Sequence, residues 1–322
     1  MLAVVCPGQG SQTPAFLRPW LELPGGADRL AAWSEAAGID LIAHGTVSDA
    51  DTIRDTAVAQ PLIVASSLVA FEVLAGGPLP AGPAAGATAG HSVGEFAAAA
   101  IAGVLTAEQA VLLVAERGRA MAAASAITPT GMSAVLGGDP DEVAAVLDKH
   151  GLTPANMNGA GQVVAAGTLE QLKALTAEPP AKARVIPLQV AGAFHTHHMS
   201  PAVDALAAAA AGVTPRNPVV PLLSNADGSV VGDGAQALQR LIAQVSNPVR
   251  WDLCTSTLSG LGITALIELP PAGTLANLAK RSLPGVAVMA VKTPDDLDAA
   301  RALVAEHAPG AVLHADPSGG PV

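Results

Sequence analysis

Ser92 lies in the segment GHSVGE, at the centre of a G-x-S-x-G pattern formed with Gly90 and Gly94. Small residues precede it and helix-forming alanines follow, so the pattern predicts a sharp turn from a strand into a helix. Such a turn presents a serine hydroxyl beside helix N-terminal amides that can bind an oxyanion. These residues indicate a nucleophilic serine, although the pattern also suits an ordinary connection in which Ser92 caps the helix.

A serine hydroxyl is a poor nucleophile until a neighbouring base takes its proton. His195, in GAFHTHH, follows Ser92 in the chain, which is the order of nucleophile and base in hydrolase-like folds. A buried core histidine is the alternative interpretation. His195 and His197 are spaced by one residue, but no further ligands stand at zinc spacing, so we predict no metal site.

The elements that must position these residues follow two patterns. Apolar strands alternate with helices on either side of residues 125–192, which predicts an α/β domain with a parallel sheet. Between them the order is βαββαβ, the ferredoxin-like unit. We therefore predict a discontinuous catalytic domain, 1–124 and 193–308, a ferredoxin-like insertion, 125–192, and a disordered tail, 309–322.

A second glycine-rich turn, PGQGSQ, follows the first predicted strand at residues 7–12. Turns after parallel strands meet at the carboxyl edge of the sheet, where Ser92 would also lie. The backbone of this turn can therefore supply a second donor to an oxyanion.

Composition narrows the class of protein. The net charge of −11 argues against nucleic acid as a partner. Half of the residues are hydrophobic, but Gly and Pro interrupt the long uncharged stretches, and the N-terminus lacks the features of a signal peptide. With two cysteines that form no framework, we expect a soluble cytosolic protein without a membrane partner, acting as a monomer.

The combination of PGQGSQ and, about eighty residues later, GHSVGE resembles the malonyl-CoA:acyl-carrier-protein transacylases and the related polyketide synthase acyltransferase domains. ERGRAM, GAFH and NPVRW match the same family, and the resemblance runs to about residue 305. It implies a hydrolase-like α/β core with a ferredoxin-like insertion. It also implies malonyl transfer from malonyl-CoA to acyl carrier protein, without a cofactor.

The resemblance further implies roles for individual residues. Ser92 would be the nucleophile and His195 its general base, with the oxyanion held by the amides of Gln9 and Val93. No acidic third residue is apparent. In the family its place is filled by a backbone carbonyl from the NPVxW segment, which here would belong to Arg250.

The resemblance also implies a second set of residues, which would contact the acyl group. The Arg117 guanidinium would pair with the free carboxylate of malonyl. Phe194, with Val93, accompanies malonyl rather than methylmalonyl in the polyketide relatives, because an aromatic ring narrows the pocket. His91 and Asn158 complete the predicted pocket; Asn158 also suits a hairpin turn with Gly159.

Two alternatives stay open at this point, a serine hydrolase or thioesterase of the same core and a non-catalytic module that docks carrier protein. The sequence does not decide between fatty-acid and polyketide synthesis. For docking, two basic pairs are candidates, Lys182 with Arg184 and Lys280 with Arg281.

Overall fold

A computed structural model describes residues 1–77, 79 and 85–308; the predicted tail, 309–322, lies outside them. The described residues form two sheets. Their strands are β1 (Leu2–Cys6), β2 (Ala87–Gly90), β3 (Thr130–Gly137), β4 (Thr153–Gly159), β5 (Gln162–Thr168), β6 (Ala183–Pro187), β7 (Leu222–Leu223), β8 (Val230–Val231), β9 (Val249–Arg250), β10 (Ala265–Glu268) and β11 (Ala287–Ala290).

Helices cover the larger sheet and one face of the smaller one. They are α1 (Arg18–Leu21), α2 (Gly26–Ala37), α3 (Leu41–Thr46), α4 (Thr56–Ala75), α5 (Gly94–Ile101), α6 (Ala107–Ser125), α7 (Pro140–Lys149), α8 (Leu169–Ala177), α9 (Ser200–Ala210), α10 (Gly234–Ala243), α11 (Trp251–Gly260), α12 (Thr274–Ser282) and α13 (Leu297–His307).

The larger sheet has the strand order β11-β10-β1-β2-β7-β8. Its strands are parallel except that β8 runs antiparallel to β7. β1 and β2 are buried throughout, as strands covered on both faces must be. Cys6 pairs with Gly90, so the turns after these two strands, which carry Gln9 and Ser92, start side by side.

Helix α4 runs through the core and is apolar on nearly every side. It is long and apolar enough to cross a membrane, but most of it is buried inside the fold, which accounts for its composition. A Cβ on Gly118 of α6 would lie 2.9 Å from the Thr56 carbonyl oxygen at the start of α4. This close approach brings Arg117 of α6 against α4.

The smaller sheet has the order β6-β3-β5-β4-β9. Its first four strands are antiparallel and, with α7 and α8, form the predicted βαββαβ unit. The predicted α/β class with a ferredoxin-like insertion is thus confirmed; the boundaries at 125 and 192 stay predictions. The fifth strand, β9, comes from the NPVRW segment of the large subdomain and pairs parallel with β4.

Candidate active site

The segment around Ser92 forms the predicted elbow between β2 and α5. Ser92 has a φ of 53°, a left-handed conformation that strains a residue with a side chain. A Cβ on Gly90 would lie 2.0 Å from the Gly94 carbonyl carbon, and one on Gly94 would lie 2.2 Å from the Cys6 carbonyl oxygen. Only glycine fits at both positions, because the elbow folds tightly onto itself and onto β1.

His195 lies beside the elbow, although it is distant in sequence. Its Nε2 is 2.7 Å from Ser92 Oγ, and its Nδ1 is 2.9 Å from the carbonyl oxygen of Gln244. Because a carbonyl only accepts hydrogen bonds, Nδ1 carries the proton and Nε2 is left to accept from the serine hydroxyl. His195 also has a left-handed φ, 61°, so both members of the pair are held in strained backbone conformations.

The surroundings of His195 keep its ring neutral. Burial, and then the positive charge of Arg117, lower the pKa of His195 to about 3. A neutral imidazole with a free Nε2 is the form that can take a proton from serine.

The prediction for Arg250 is wrong, because the carbonyl that accepts from His195 belongs to Gln244. Arg250 lies in β9; its amide donates to Asn225 O at 2.8 Å, and its side chain pairs with Asp252 at 2.9 Å. Gln244 begins the 3₁₀ turn that follows α10. Its carbonyl already accepts from the Asn247 amide at 3.2 Å, and the second lone pair of the oxygen receives the imidazole N–H.

The side chain of Gln244 also contacts the site, and it is almost fully buried. Its Nε2 donates to Ser92 O at 2.9 Å and to a carboxylate oxygen of Glu95, while its Oε1 accepts from Arg117 Nη2 at 2.8 Å. A single residue, Gln244, therefore contacts Ser92, His195 and Arg117.

Arg117 is 1% exposed. Nη1 donates to Gln60 Oε1 at 2.7 Å, and Nη2 lies 3.4 Å from Ser92 Oγ. Among the residues that the structure describes, no carboxylate forms an ion pair with it, and its buried Nε has no hydrogen-bond acceptor. The guanidinium is therefore held by neutral amides next to Ser92, with donors left for an anionic group.

Two further polar residues support the elbow from behind. Asn225 Oδ1 accepts from the Ser92 amide at 2.8 Å, and Asn225 Nδ2 donates to Gly90 O at 2.7 Å. Glu95 accepts from the Asn225 amide at 2.6 Å. Burial raises the pKa of Glu95, but both of its oxygens accept from N–H donors, and such hydrogen bonds favour the ionised form.

The two predicted oxyanion donors lie on adjacent turns at the carboxyl edge of the sheet. Val93 is the first residue of the turn into α5, and the Gln9 side chain is held by Arg54 O at 3.3 Å. Within the described residues, the Gln9 and Val93 amides have no backbone or side-chain acceptor. They are thus available to a ligand, and their role stays a prediction.

His91 and Asn158 are brought together, since His91 Nε2 lies 2.9 Å from Asn158 Oδ1. The predicted turn at Asn158 and Gly159 is displaced: β4 continues through both, and the loop is Ala160–Gly161, each with a left-handed φ. Asn158 therefore faces the elbow across the junction of the two subdomains.

Phe194 precedes His195 and is 6% exposed, packed in the same core cluster as Val93. Its effect on the acyl group stays a prediction. Over residues 1–77, 79 and 85–308, no three His, Cys, Asp or Glu residues are grouped as a metal site would require.

Sequence reasoning missed Gln244, Asn225, Gln60 and Glu95. Glu95 ends the motif GHSVGE, so its place in the first turn of α5 was the one available signal. The other three are single amide residues in segments without a recognisable spacing.

A Ser–His pair on an elbow of an α/β core, interrupted by a ferredoxin-like sheet, is an architecture suited to acyl transfer, and the acyl transferase domain family matches residues 3–300. The chain belongs to this family and, within it, to the malonyl-CoA:acyl-carrier-protein transacylases. The transacylase of Mycobacterium tuberculosis is 56% identical over 298 residues, 92% of this chain and 98% of that protein. The transacylase of Escherichia coli K12 is 33% identical over 307 residues, with the same coverage.

Solved structures give the same result. The crystal structure of the M. tuberculosis enzyme has a TM-score of 0.88 at 55% identity, covering 94% of this chain and 99% of that one. A malonyl-transacylase in complex with a type II polyketide synthase carrier protein has a TM-score of 0.85 at 30% identity, with the same coverage. The resemblance carried by PGQGSQ and GHSVGE is thereby confirmed.

Proposed function

We propose that this chain is a malonyl-CoA:acyl-carrier-protein S-malonyltransferase that works through a malonyl ester on Ser92. The observation that carries the mechanism is the 2.7 Å contact between Ser92 Oγ and an unprotonated His195 Nε2, beside a buried arginine that forms no direct ion pair with a carboxylate among the described residues.

In the first half-reaction, His195 Nε2 takes the proton of Ser92 as the serine oxygen attacks the thioester carbonyl of malonyl-CoA. The Gln9 and Val93 amides bind the developing oxyanion. Collapse of the tetrahedral intermediate breaks the C–S bond, and the imidazolium returns its proton to the departing CoA sulfur. The Gln244 carbonyl stabilises the imidazolium through Nδ1, in the place that a carboxylate occupies in a conventional triad.

In the second half-reaction, the phosphopantetheine thiol of acyl carrier protein gives its proton to His195 and attacks the ester. The Ser92 oxygen leaves and recovers that proton. The route as we propose it draws on side chains, backbone amides and two thioester substrates, without a metal or redox cofactor.

Selection of malonyl follows from Arg117. The malonyl carboxylate would pair with the guanidinium, whereas an acetyl group would leave the buried charge without an anion. The neutral amides of Gln60 and Gln244 fix the guanidinium without cancelling its charge.

We propose that carrier protein binds at one end of the small sheet, on a surface formed by Arg184, Gln162 and Arg281 that we call the basic row. Leu136 of β3 pairs with Arg184 on one side and with Gln162 on the other, so these three side chains share one face. Arg281 of α12 reaches Gln162 Oε1 at 3.5 Å. Arg184 and Arg281, both exposed, therefore border one surface, suited to an acidic carrier protein.

We further propose that the enzyme acts as a cytosolic monomer. Cys6 and Cys254 are both buried and free, which suits a reducing compartment. Fatty-acid and polyketide carrier proteins both remain candidate acceptors, and a transfer assay with each would separate them.

The test of this function is mass spectrometry of the intact protein after mixing with malonyl-CoA. We expect the mass of one malonyl group on Ser92, its loss when phosphopantetheinylated carrier protein is added, and malonyl recovered on the carrier. Ser92→Ala should take up no label. Label on Ser92→Ala would refute the nucleophile assignment, and release of free malonate in place of transfer would favour a hydrolase.

A further inference from the structure

Glu95 is a buried carboxylate that the proposed reaction does not use. It lies in the first turn of α5 and is 4% exposed. No Lys or Arg forms an ion pair with it among the described residues. A carboxylate in such a place is costly, because burial without a paired charge disfavours the ionised form.

The contacts of Glu95 lead to both halves of the catalytic pair. One oxygen accepts from the backbone N–H of Asn225 at 2.6 Å, and the side-chain Oδ1 of Asn225 accepts from the Ser92 backbone N–H at 2.8 Å. The other oxygen accepts from Gln244 Nε2, and the Gln244 carbonyl holds His195 Nδ1 at 2.9 Å. Glu95 thereby joins the segment after β7 to the 3₁₀ turn after α10.

We propose that Glu95 is a positioning residue, whose two acceptor oxygens set the separation of Ser92 from His195 and the amide orientation of Gln244. This inference rests on the proposed function for the role of Arg117, but not for the Ser–His geometry. Glu95 touches no reacting atom and acts through Asn225 and Gln244.

The need for two acceptors follows from the donors that Glu95 faces. The Asn225 donor is a backbone N–H and cannot turn round, so any residue at position 95 must direct an oxygen to it. Glutamine would then present its NH₂ to Gln244 Nε2, and two donors cannot pair.

Gln244 would have to reverse its amide or move away from residue 95. Reversal places its NH₂ against Arg117, which has no acceptor, and withdraws the donor from Ser92 O. Either response removes an acceptor from Arg117 and disturbs the turn whose carbonyl holds His195.

The experiment compares Glu95→Gln with Glu95→Asp, and uses Glu72→Gln as the matched control. Glu72 is also a buried helical glutamate that accepts two N–H bonds, from Arg29 and Leu79, but it lies twelve residues, about 18 Å, along α4 from Gln60. Each variant is reacted with malonyl-CoA and with phenylmethylsulfonyl fluoride, a neutral serine reagent. Rates are normalised to the folded fraction from circular dichroism.

We expect Glu95→Gln to slow sulfonylation roughly 10- to 100-fold, the size expected for a buried donor left unpaired. Malonyl transfer should slow more, with the loss in kcat, because Arg117 is disturbed as well. Glu95→Asp should lose less than Glu95→Gln, since it keeps two acceptors, and Glu72→Gln should react at the wild-type rate. A role in packing alone predicts the reverse order, because Gln is nearly isosteric with Glu.

Wild-type rates for Glu95→Gln with both reagents, or a greater loss for Asp than for Gln, would overturn the proposal. If Glu95→Gln does not fold, Glu95→Asp decides: wild-type rates with both reagents would again overturn it. A wild-type protein that reacts with the sulfonyl fluoride but not with malonyl-CoA would instead contradict the proposed function.

Discussion

The two subdomains contribute very unequally to the active site. The large subdomain supplies Ser92 and His195, the proposed nucleophile and base, together with the buried Arg117 and the Gln244 turn, and all of them lie within one hydrogen-bonded network. The small subdomain contributes Asn158, which contacts His91, and Arg184 of the proposed carrier-protein surface.

This difference indicates a division of labour between chemistry and delivery. Groups that must be held rigidly come from the ends of buried strands and helices, where packing fixes them. The groups that we propose to meet carrier protein, Arg184 and Arg281, are exposed. Substitutions in the buried network around Ser92 should therefore change acyl transfer itself, and those at Arg184 and Arg281 should change the response to carrier protein.

The largest effect should come from His195→Ala. Without the imidazole, no group takes the serine proton, so acylation by malonyl-CoA should slow roughly 10²- to 10⁴-fold. The measurement is the single-turnover rate of Ser92 labelling. The variant should remain folded by circular dichroism, and a folded variant that labels at the wild-type rate would refute the assignment of the base.

Arg117→Ala should slow malonyl transfer nearly as much as His195→Ala does, but it should not slow acetyl transfer. Removing one partner of a buried charge pair costs about 3–5 kcal/mol, so kcat/KM for malonyl-CoA should fall roughly 10²- to 10³-fold or more. Acetyl transfer should hold or rise, because the smaller residue leaves no charge stranded. Both thioesters are measured with one carrier protein, and equal losses would mean that Arg117 supports the fold or the CoA moiety.

The pH dependence should also differ from that of an ordinary histidine. Because the pKa of His195 is lowered to about 3, the rate at which Ser92 reacts with a neutral sulfonyl fluoride should stay constant from pH 8 to below pH 6. A free histidine would be half protonated near pH 6.5. Arg117→Ala should move the inflection upward, since the arginine's charge contributes to lowering the pKa.

The same shift sets a dependence of stability on pH. The unfolded chain binds a proton on this histidine between about pH 6.5 and 3, and the folded chain does not. The contribution of His195 to stability should thus be complete above pH 6.5 and decline as the pH falls. In the sulfonyl fluoride experiment, an inflection of the rate near pH 6.5 in the wild type would contradict the assignment of a neutral, buried His195 ring.

The smallest effect should come from reversing Arg184 and Arg281 to Glu. KM for carrier protein should rise roughly 3- to 10-fold at low salt, because exposed charges steer a partner more than they bind it. Acylation by malonyl-CoA alone should not change. Lys173→Glu, at an exposed position of α8 on the helix-covered face, is the control, and an equal rise in KM for that variant would refute the row.

Much of this could be predicted from sequence because the signals are local. The glycines at 90 and 94, the alternation of strands and helices, and the βαββαβ order each reflect the geometry of a short segment. The carbonyl partner of His195 was misplaced because the direction of a carbonyl at a helix end depends on how α10 packs. Gln244 and Asn225 were missed because each meets Ser92 across more than a hundred residues, and no spacing records such contacts.

The pairing of β9 with β4 has a consequence for anyone who builds chimeras of these enzymes. Val249 and Arg250 complete the small sheet from a distant part of the chain, so residues 125–192 are not a transplantable module. An exchange of those residues alone would leave the outer side of β4 bare or matched to a foreign strand, and such sides invite association between molecules. A working hybrid should carry residues 247–251 from the same parent, and the two pieces together form the unit that recombination must respect.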